Sequence, residues 1–104
     1  MANQMRPVHP GEVLRDELSA LNLSASALAK ALAVPTNRIT SILNEQRVVT
    51  ADTALRLSRF FGTTAEFWMS LQSSYDVKKT RMAMGKKIDR AVKPNSANSG
   101  LLAA

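Results

Sequence analysis

One short segment of this sequence gathers hydrogen-bonding side chains at helical spacing. If the segment from Pro35 to Leu43 is a helix that turns by about 100° per residue, one of its sides presents only polar side chains and no carboxylate. These are Asn37, Thr40, Ser41 and Asn44, with Thr36 and Arg38 on the flanks. Short polar side chains let a helix enter the major groove of DNA, where asparagine can bond adenine through two hydrogen bonds. The pattern therefore indicates base recognition.

The competing interpretation of this segment is an ordinary solvent-exposed helix face. That interpretation explains the polarity, but it predicts glutamate and lysine, which form helices better than threonine, asparagine and serine do. The opposite side carries Ile39, Ile42 and Leu43, as expected of a helix that packs on a core. We therefore favour base readout.

The residues that other kinds of site require are missing. The chain has no cysteine, which excludes disulfides and thiolate chemistry, and one histidine, His9, which excludes a site built on two imidazoles. No catalytic pair and no phosphate-binding glycine loop is visible, which argues against an enzyme. Because Pro10 and Gly11 follow His9, a role at the start of a helix is favoured over metal binding. We predict no enzymatic activity, no metal site and no cofactor.

Length and composition fit one small domain with an uneven charge. A chain of 104 residues with 45% hydrophobic residues can build one modest core. No apolar run has the length of a signal peptide or a membrane span, so we expect a soluble, cytoplasmic protein. Residues 1–75 carry seven basic against six acidic side chains, whereas residues 76–93 carry seven against two. This basic excess suits an anionic partner such as nucleic acid.

Caps and apolar spacing predict an all-α chain of five helices. The first three are expected from Pro10 to about Leu21, from a cap at Ser24 to a break at Val34-Pro35, and from there to about Leu43. The fourth is expected between a cap at Thr50 and Gly62, and the fifth from a capping box at Thr63 and Glu66 to about Met84.

The fourth helix should bury Ala54, Leu57, Phe60 and Phe61, and the fifth Phe67, Trp68, Leu71 and Tyr75. The expected end of the fifth helix, at about Met84, sets the domain boundary. We therefore place one helix-turn-helix domain at residues 6–84. Residues 85–104, which include a polar stretch from Pro94 to Gly100, have the composition of a flexible tail.

The segment from Leu23 to Asn44 resembles the helix-turn-helix of the Cro and phage-repressor (XRE) class, and the wider chain resembles the HigA-type antitoxins. The motifs that carry the resemblance are His9–Glu12, Ala29–Pro35, Ile39, Thr50–Leu57 and Glu66–Gln72 followed by Tyr75-Asp76. They lie in order within residues 6–77, at the spacing of the family. A lone helix-turn-helix would be a weak signal, whereas five ordered motifs are a strong one.

The resemblance implies a lambda-repressor-like fold and a homodimeric repressor of its own operon. Its partners would be palindromic double-stranded operator DNA and a HigB/RelE-like toxin that cleaves mRNA. The residues at the family's base-reading positions are Thr36, Asn37, Thr40 and Ser41, and those at its backbone-contacting positions are Ser24, Arg38, Asn44 and Arg47. A stand-alone repressor without a toxin is the alternative, and the neighbouring gene would decide between them.

Two positions and the charge depart from the family pattern. Ala33 and Glu45 stand where many members have glycine in the turns before and after the third helix. Because a left-handed residue other than glycine costs roughly 1 kcal/mol or more, a different turn shape is an alternative at either position. Antitoxins that neutralise basic ribonucleases are commonly acidic, and this chain is basic.

Two features of the C-terminal part have more than one interpretation. Lys78, Lys79 and Arg81 could complement the helix dipole, contact DNA non-specifically or lie beside a partner. The end of the tail, Leu102-Ala103-Ala104, resembles the end of the bacterial ssrA tag, which implies a signal for degradation. An end under no constraint explains the same residues.

Overall fold

The computed structural model describes residues 6–95, and these form five helices joined by short turns. The helices are α1 (Pro10–Leu21), α2 (Ala25–Leu32), α3 (Thr36–Leu43), α4 (Ala51–Phe61) and α5 (Ala65–Ala91). No strand occurs in this range. The predicted all-α class is confirmed, and so are the caps at Ser24 and Thr50, whose hydroxyls accept hydrogen bonds from Ala27 and Thr53 N–H.

His9 starts α1, as its position before Pro10 predicts. Its side chain is buried, and its Nδ1 accepts a hydrogen bond from Gly11 N–H at 2.9 Å. The ring also packs edge-on against Tyr75 on α5, with the ring centroids 4.8 Å apart. Burial lowers the pKa of His9, which favours the neutral imidazole that this acceptor role requires.

The turns on both sides of α3 keep a left-handed residue although neither is glycine. Ala33 has φ 61° and Glu45 has φ 60°. After Ala33, Val34 N–H reaches back to Ala29 O at 3.0 Å, and after Glu45, Gln46 N–H reaches Ser41 O at 2.8 Å. These bonds satisfy carbonyls at the ends of α2 and α3 and offset the strain. The alternative of a different turn shape is therefore wrong at both positions.

The core lies where α1 to α4 meet the first two turns of α5. Its fully buried side chains include Leu14, Leu28, Ile39, Ile42, Leu57 and Trp68. Ile39 and Ile42 come from α3, so the predicted inward side of that helix is confirmed; Leu43 is half-buried against the same core. The domain thus fixes α3 through its apolar side and leaves the polar side outward.

Two of the aromatic residues predicted to be buried are not. Phe60 and Phe67 are each 42% exposed, because Phe61 and Trp68 fill the contact between α4 and α5. Phe60 packs edge-on against Phe61, and Phe67 packs edge-on against Trp68, each from the outside. The α4–α5 surface therefore presents aromatic rings to its surroundings.

The start of α5 also differs from the expected capping box at Thr63 and Glu66. Thr64 is the cap, and its hydroxyl accepts from Phe67 N–H at 3.1 Å. The Thr63 hydroxyl accepts instead from the indole N–H of Trp68 at 2.9 Å. A buried indole needs such an acceptor, and the spacing of two adjacent threonines could not reveal which of them would supply it.

Helix α5 is longer than predicted, since it continues past Met84 to Ala91. Glycine inside a helix costs only about 1 kcal/mol relative to alanine, and Gly85 is followed by good helix formers. Bases in the last turns also complement the helix dipole. The expected tail therefore begins with helix, and residues 85–91 belong to α5. The Leu102-Ala103-Ala104 motif lies outside the described residues.

Among the helices of residues 6–95, none combines the length and the hydropathy that crossing a membrane requires.

Replacing Gly11 by alanine should destabilise the protein by about 1–3 kcal/mol, the usual cost of an overpacked contact. A β-carbon at residue 11 would lie 2.1 Å from the carbonyl oxygen of Ile42, so α1 and α3 would have to separate. Urea unfolding followed by circular dichroism measures the change in the free energy of unfolding.

Gly85→Ala is the matched control, because a β-carbon there meets only the flexible Arg81 side chain, at 3.3 Å. It should leave stability unchanged or raise it by helix propensity. Equal stability of Gly11→Ala and the wild type would contradict the close contact between α1 and α3.

Candidate nucleic-acid interface

The outward side of α3 is a continuous polar surface. Thr36, Asn37 and Asn44 are exposed, and Thr40 and Ser41 are half-buried at the edge of the core. Within residues 6–95, no protein group hydrogen-bonds the side-chain amide of Asn37 or Asn44, and Thr40 Oγ1 makes only a long bond, 3.4 Å, to Asn37 O. The donors and acceptors of this face are therefore available to a ligand.

Arg38 and Arg47, two predicted backbone contacts, lie at one flank of this surface. They line a cleft of about 480 Å³ together with Thr50, at the N-terminus of α4, and Arg56. Arg38 donates a hydrogen bond to Asp52 Oδ2 at 2.7 Å, and Arg56 donates to the same oxygen at 3.0 Å. The cleft thus holds three guanidinium groups against one carboxylate.

The two arginines act on Asp52 in the same direction. Hydrogen bonds from Arg56, and then from Arg38, hold the pKa of the Asp52 carboxyl below its ordinary value. Both ion pairs of Asp52 are solvent-exposed, and an exposed ion pair contributes little to stability. The carboxylate instead orients the guanidinium groups of Arg38 and Arg56 at the mouth of the cleft.

Arg56 also fixes the turn between α2 and α3. It donates to the carbonyl oxygens of Leu32 at 2.8 Å and Ala33 at 3.3 Å, which are left free at the end of α2. In the sequence, Arg56 stands out only as a basic residue. The spacing of Asp52 and Arg56 on one helix could have suggested their pairing, but the contact with α2 has no signature in the sequence.

Ser24 lies apart from this cleft. Its hydroxyl caps α2, and the residue lines a separate groove with Arg15 and Leu43. Arg15 donates to the carbonyl oxygen of Leu43, which satisfies the end of α3. The structure therefore brings Arg38 and Arg47 together on one flank and places Ser24 near the C-terminal end of α3.

Glu45 lines an open cavity of mixed charge, about 690 Å³ in volume. The cavity is lined by three bases and three acids, namely Arg6, Arg15, Lys79, Glu12, Asp16 and Glu45. Arg6 pairs with Glu12 at 2.8 Å, and this hydrogen bond lowers the pKa of the Glu12 carboxyl. Glu45 itself makes no ion pair within residues 6–95. No group of acids, histidines or cysteines in residues 6–95 is arranged to hold a metal ion.

Comparisons with known proteins agree with this geometry. The model of the helix-turn-helix family matches residues 14–68. Virulence-associated protein I of Dichelobacter nodosus is 56% identical over 77 residues, which are 73% of this chain and 71% of that protein. These matches cover α2 and α3 with their supporting helices.

Two solved structures extend the match to α5. A HigA-family addiction module antidote protein from Coxiella burnetii is 58% identical, with a TM-score of 0.85 over 86% of this chain and 99% of that one. The Pseudomonas aeruginosa antitoxin HigA, solved with the higBA promoter, is 48% identical, with a TM-score of 0.83 over 86% and 98%. The chain therefore belongs to the helix-turn-helix family and, within it, to the HigA-type antitoxins, a group of DNA-binding regulators rather than enzymes.

Proposed function

We propose that this protein binds its own operator and represses its operon, with α3 in the major groove. The observation that carries the proposal is the acid-free polar side of α3, held outward by Ile39 and Ile42 in the core. Thr36, Asn37, Thr40 and Ser41 would contact base edges. The promoter bound to the P. aeruginosa relative supports this role.

Phosphate contacts would fix α3 in its register. Arg38 and Arg47 would meet phosphates at their cleft, where the N-terminus of α4 adds its positive dipole end. Ser24 and Asn44 would bind the backbone at the other end of α3. Asp52 accepts a hydrogen bond from Arg38 and so orients its guanidinium, and a phosphate can bind beside that carboxylate.

We further propose a symmetric dimer on a palindromic operator. Two recognition helices must lie roughly 34 Å apart, about one turn of DNA, to read successive major grooves. An unpaired apolar stripe runs along the outer side of α5, where Val77, Met84 and Ile88 fall within about 40° of one another around the helix. All three are exposed, and Val48 in the α3–α4 loop is exposed as well. Pairing of α5 with its copy would cover the stripe.

Membership of the HigA-type antitoxins supports a second partner, a HigB/RelE-like toxin that cleaves mRNA. The protein would neutralise this toxin by binding it. The surfaces that the DNA-bound dimer leaves free include α1, where Asp16 and Glu17 are exposed. A stand-alone regulator would share the DNA-binding surface and lack this partner.

Replacing Asn37 or Ser41 by alanine should weaken operator binding by about 1–3 kcal/mol, since each change removes a base contact. Binding to random DNA should stay unchanged, because phosphate contacts remain. Fluorescence anisotropy with a duplex selected from a randomised library, and with a random 30-base-pair duplex, gives both affinities. Ser70→Ala, an exposed serine on α5, is the control. Equal losses on both duplexes would contradict base readout.

Replacing Met84 by glutamate should convert the dimer into a monomer, because the charge would be buried in the apolar contact between the two α5 helices. Met82→Glu is the matched control, since Met82 is exposed on the other side of the same helix. Analytical ultracentrifugation should show a dimer for the wild type and for Met82→Glu. A dimer of unchanged stability for Met84→Glu would place the interface elsewhere.

Co-expression with the product of the adjacent reading frame should relieve the toxicity of that product and yield a complex in a pull-down. The Asn37→Ala variant should do both as well as the wild type, because neutralisation does not need base contacts. Growth curves and gel filtration measure the two effects. If the adjacent product is harmless or fails to bind, the stand-alone regulator is the better description.

A further inference from the structure

The distal part of α5, from Asp76 to Ala91, extends beyond the core. The buried residues of α5 are Trp68 and Gln72, both in its first eight residues. After Ala83, every residue of the helix except the half-buried Gly85 is exposed. Ala83 is the last residue of α5 that lines a cavity with the domain. At about 1.5 Å per residue, the helix continues for roughly 12 Å beyond it, to Ala91.

Three of the bases in this distal part share one side of the helix, whereas Arg81 lies beside the apolar stripe, in a groove with Val77 and Ile88. Lys79, Lys86 and Arg90 fall within about 40° of one another around the helix, on the side opposite to the apolar stripe of Val77, Met84 and Ile88. The ion pairs within residues 6–95 involve Arg6, Arg38 and Arg56, so Lys86, Lys87 and Arg90 have no carboxylate partner there. The helix dipole accounts for bases in the last turn, but not for Lys79 three turns earlier.

The basic side of α5 continues the side that packs on the domain, because Trp68 and Gln72 lie on the same arc as Lys79 and Lys86. Gln72 Oε1 accepts from Val49 N–H at 2.8 Å, which fixes α5 beside the α3–α4 loop. Lys79 lies above the ring of Tyr75 at 5.5 Å and shares a cavity with Glu45, just after α3. Past the edge of the domain, the bases therefore face the space beside the end of α3 and its loop.

We propose that the distal part of α5 is a second, sequence-independent contact with the phosphate backbone of double-stranded DNA. The proposal rests on the proposed function, which places Asn44, at the C-terminal end of α3, against the phosphate backbone. Lys86 and Arg90 extend that contact along the DNA beyond the bases that α3 reads. Duplex DNA carries about one negative charge per 1.7 Å of its axis, so a row of bases along α5 meets several phosphates without needing a particular sequence. The contact lengthens the footprint and adds affinity for operator and random DNA alike.

The test compares two double variants that each remove two exposed positive charges. Lys86→Gln with Arg90→Gln removes them from the basic side of α5. Lys30→Gln with Arg59→Gln removes them from the later turns of α2 and α4, away from Ser24 and Thr50. Affinities for a library-selected duplex and a random 30-base-pair duplex are measured by anisotropy between 50 and 200 mM salt.

When the logarithm of the association constant is plotted against the logarithm of the salt concentration, the line should be less steep by about 1.8 for the α5 variant. Each phosphate that the protein neutralises adds about 0.9 to the steepness. Raising the salt from 50 to 200 mM should therefore weaken the α5 variant about tenfold less than it weakens the wild type. The difference should be equal on both duplexes, and the control variant should behave like the wild type. Identical slopes for all three proteins, with the wild type still selective for its operator, would overturn this inference and leave the proposed function standing. A wild type that binds neither duplex would overturn both. The wild type could instead bind phosphatidylglycerol vesicles more tightly than the α5 variant does, while both show the same salt dependence on DNA. That result would assign the basic side of α5 to a membrane surface and overturn this inference.

Discussion

The carbonyl oxygen of Ile42 lies 2.1 Å from the place where a β-carbon on residue 11 would be. Only glycine lets the first turn of α1 approach the backbone of α3 so closely, and the position of α3 in the domain depends on that approach. His9 caps the same turn with its buried imidazole and holds Gly11 N–H. Because Ile39 and Ile42 are buried just behind the polar side of α3, any separation of α1 from α3 would also shift the side chains that face outward.

Arginine side chains bond the carbonyl groups at the C-terminal ends of α2 and α3. Arg56 bonds the carbonyls at the end of α2, and Arg15 bonds the last carbonyl of α3. Free carbonyls at a helix end need partners, and both of these ends are followed by a turn in which a residue other than glycine adopts a left-handed conformation at a cost. The side chains of α1 and α4 therefore stabilise turns that glycine would stabilise by itself. Both of these arginines therefore have a structural role within the domain.

Helix α5 has two different environments along its length. In its first turns Trp68 fills the core, and Gln72 satisfies the backbone of the α3–α4 loop. Its later turns have almost no contact with the domain, yet they keep an apolar stripe and a basic side at opposite positions. This arrangement suits a helix that meets a second copy of the chain on one side and an anionic surface on the other.

The sequence by itself determined the class of fold, the order of the helices and the polar side of α3. Caps, proline breaks and apolar spacing are local signals, and helices form through local hydrogen bonds, so these features can be predicted without knowing what packs where. The base-reading and phosphate-binding residues remain predictions from pattern and resemblance, and the geometry of α3 is compatible with them.

Several other features are visible only in the folded chain. Phe60 and Phe67 stay partly exposed because Phe61 and Trp68 already fill the contact between their helices. Thr63 bonds the indole of Trp68, so Thr64 is left to cap α5. Ala33 and Glu45 keep left-handed turns because hydrogen bonds across those turns outweigh the strain of a β-carbon. Helix α5 is longer than predicted because glycine and lysine after Met84 have the composition of a tail, although the preceding turns propagate the helix through them. The outcomes for the aromatic rings and the two threonines depend on which neighbour occupies a particular space or supplies a particular hydrogen bond, and residue types alone do not reveal that.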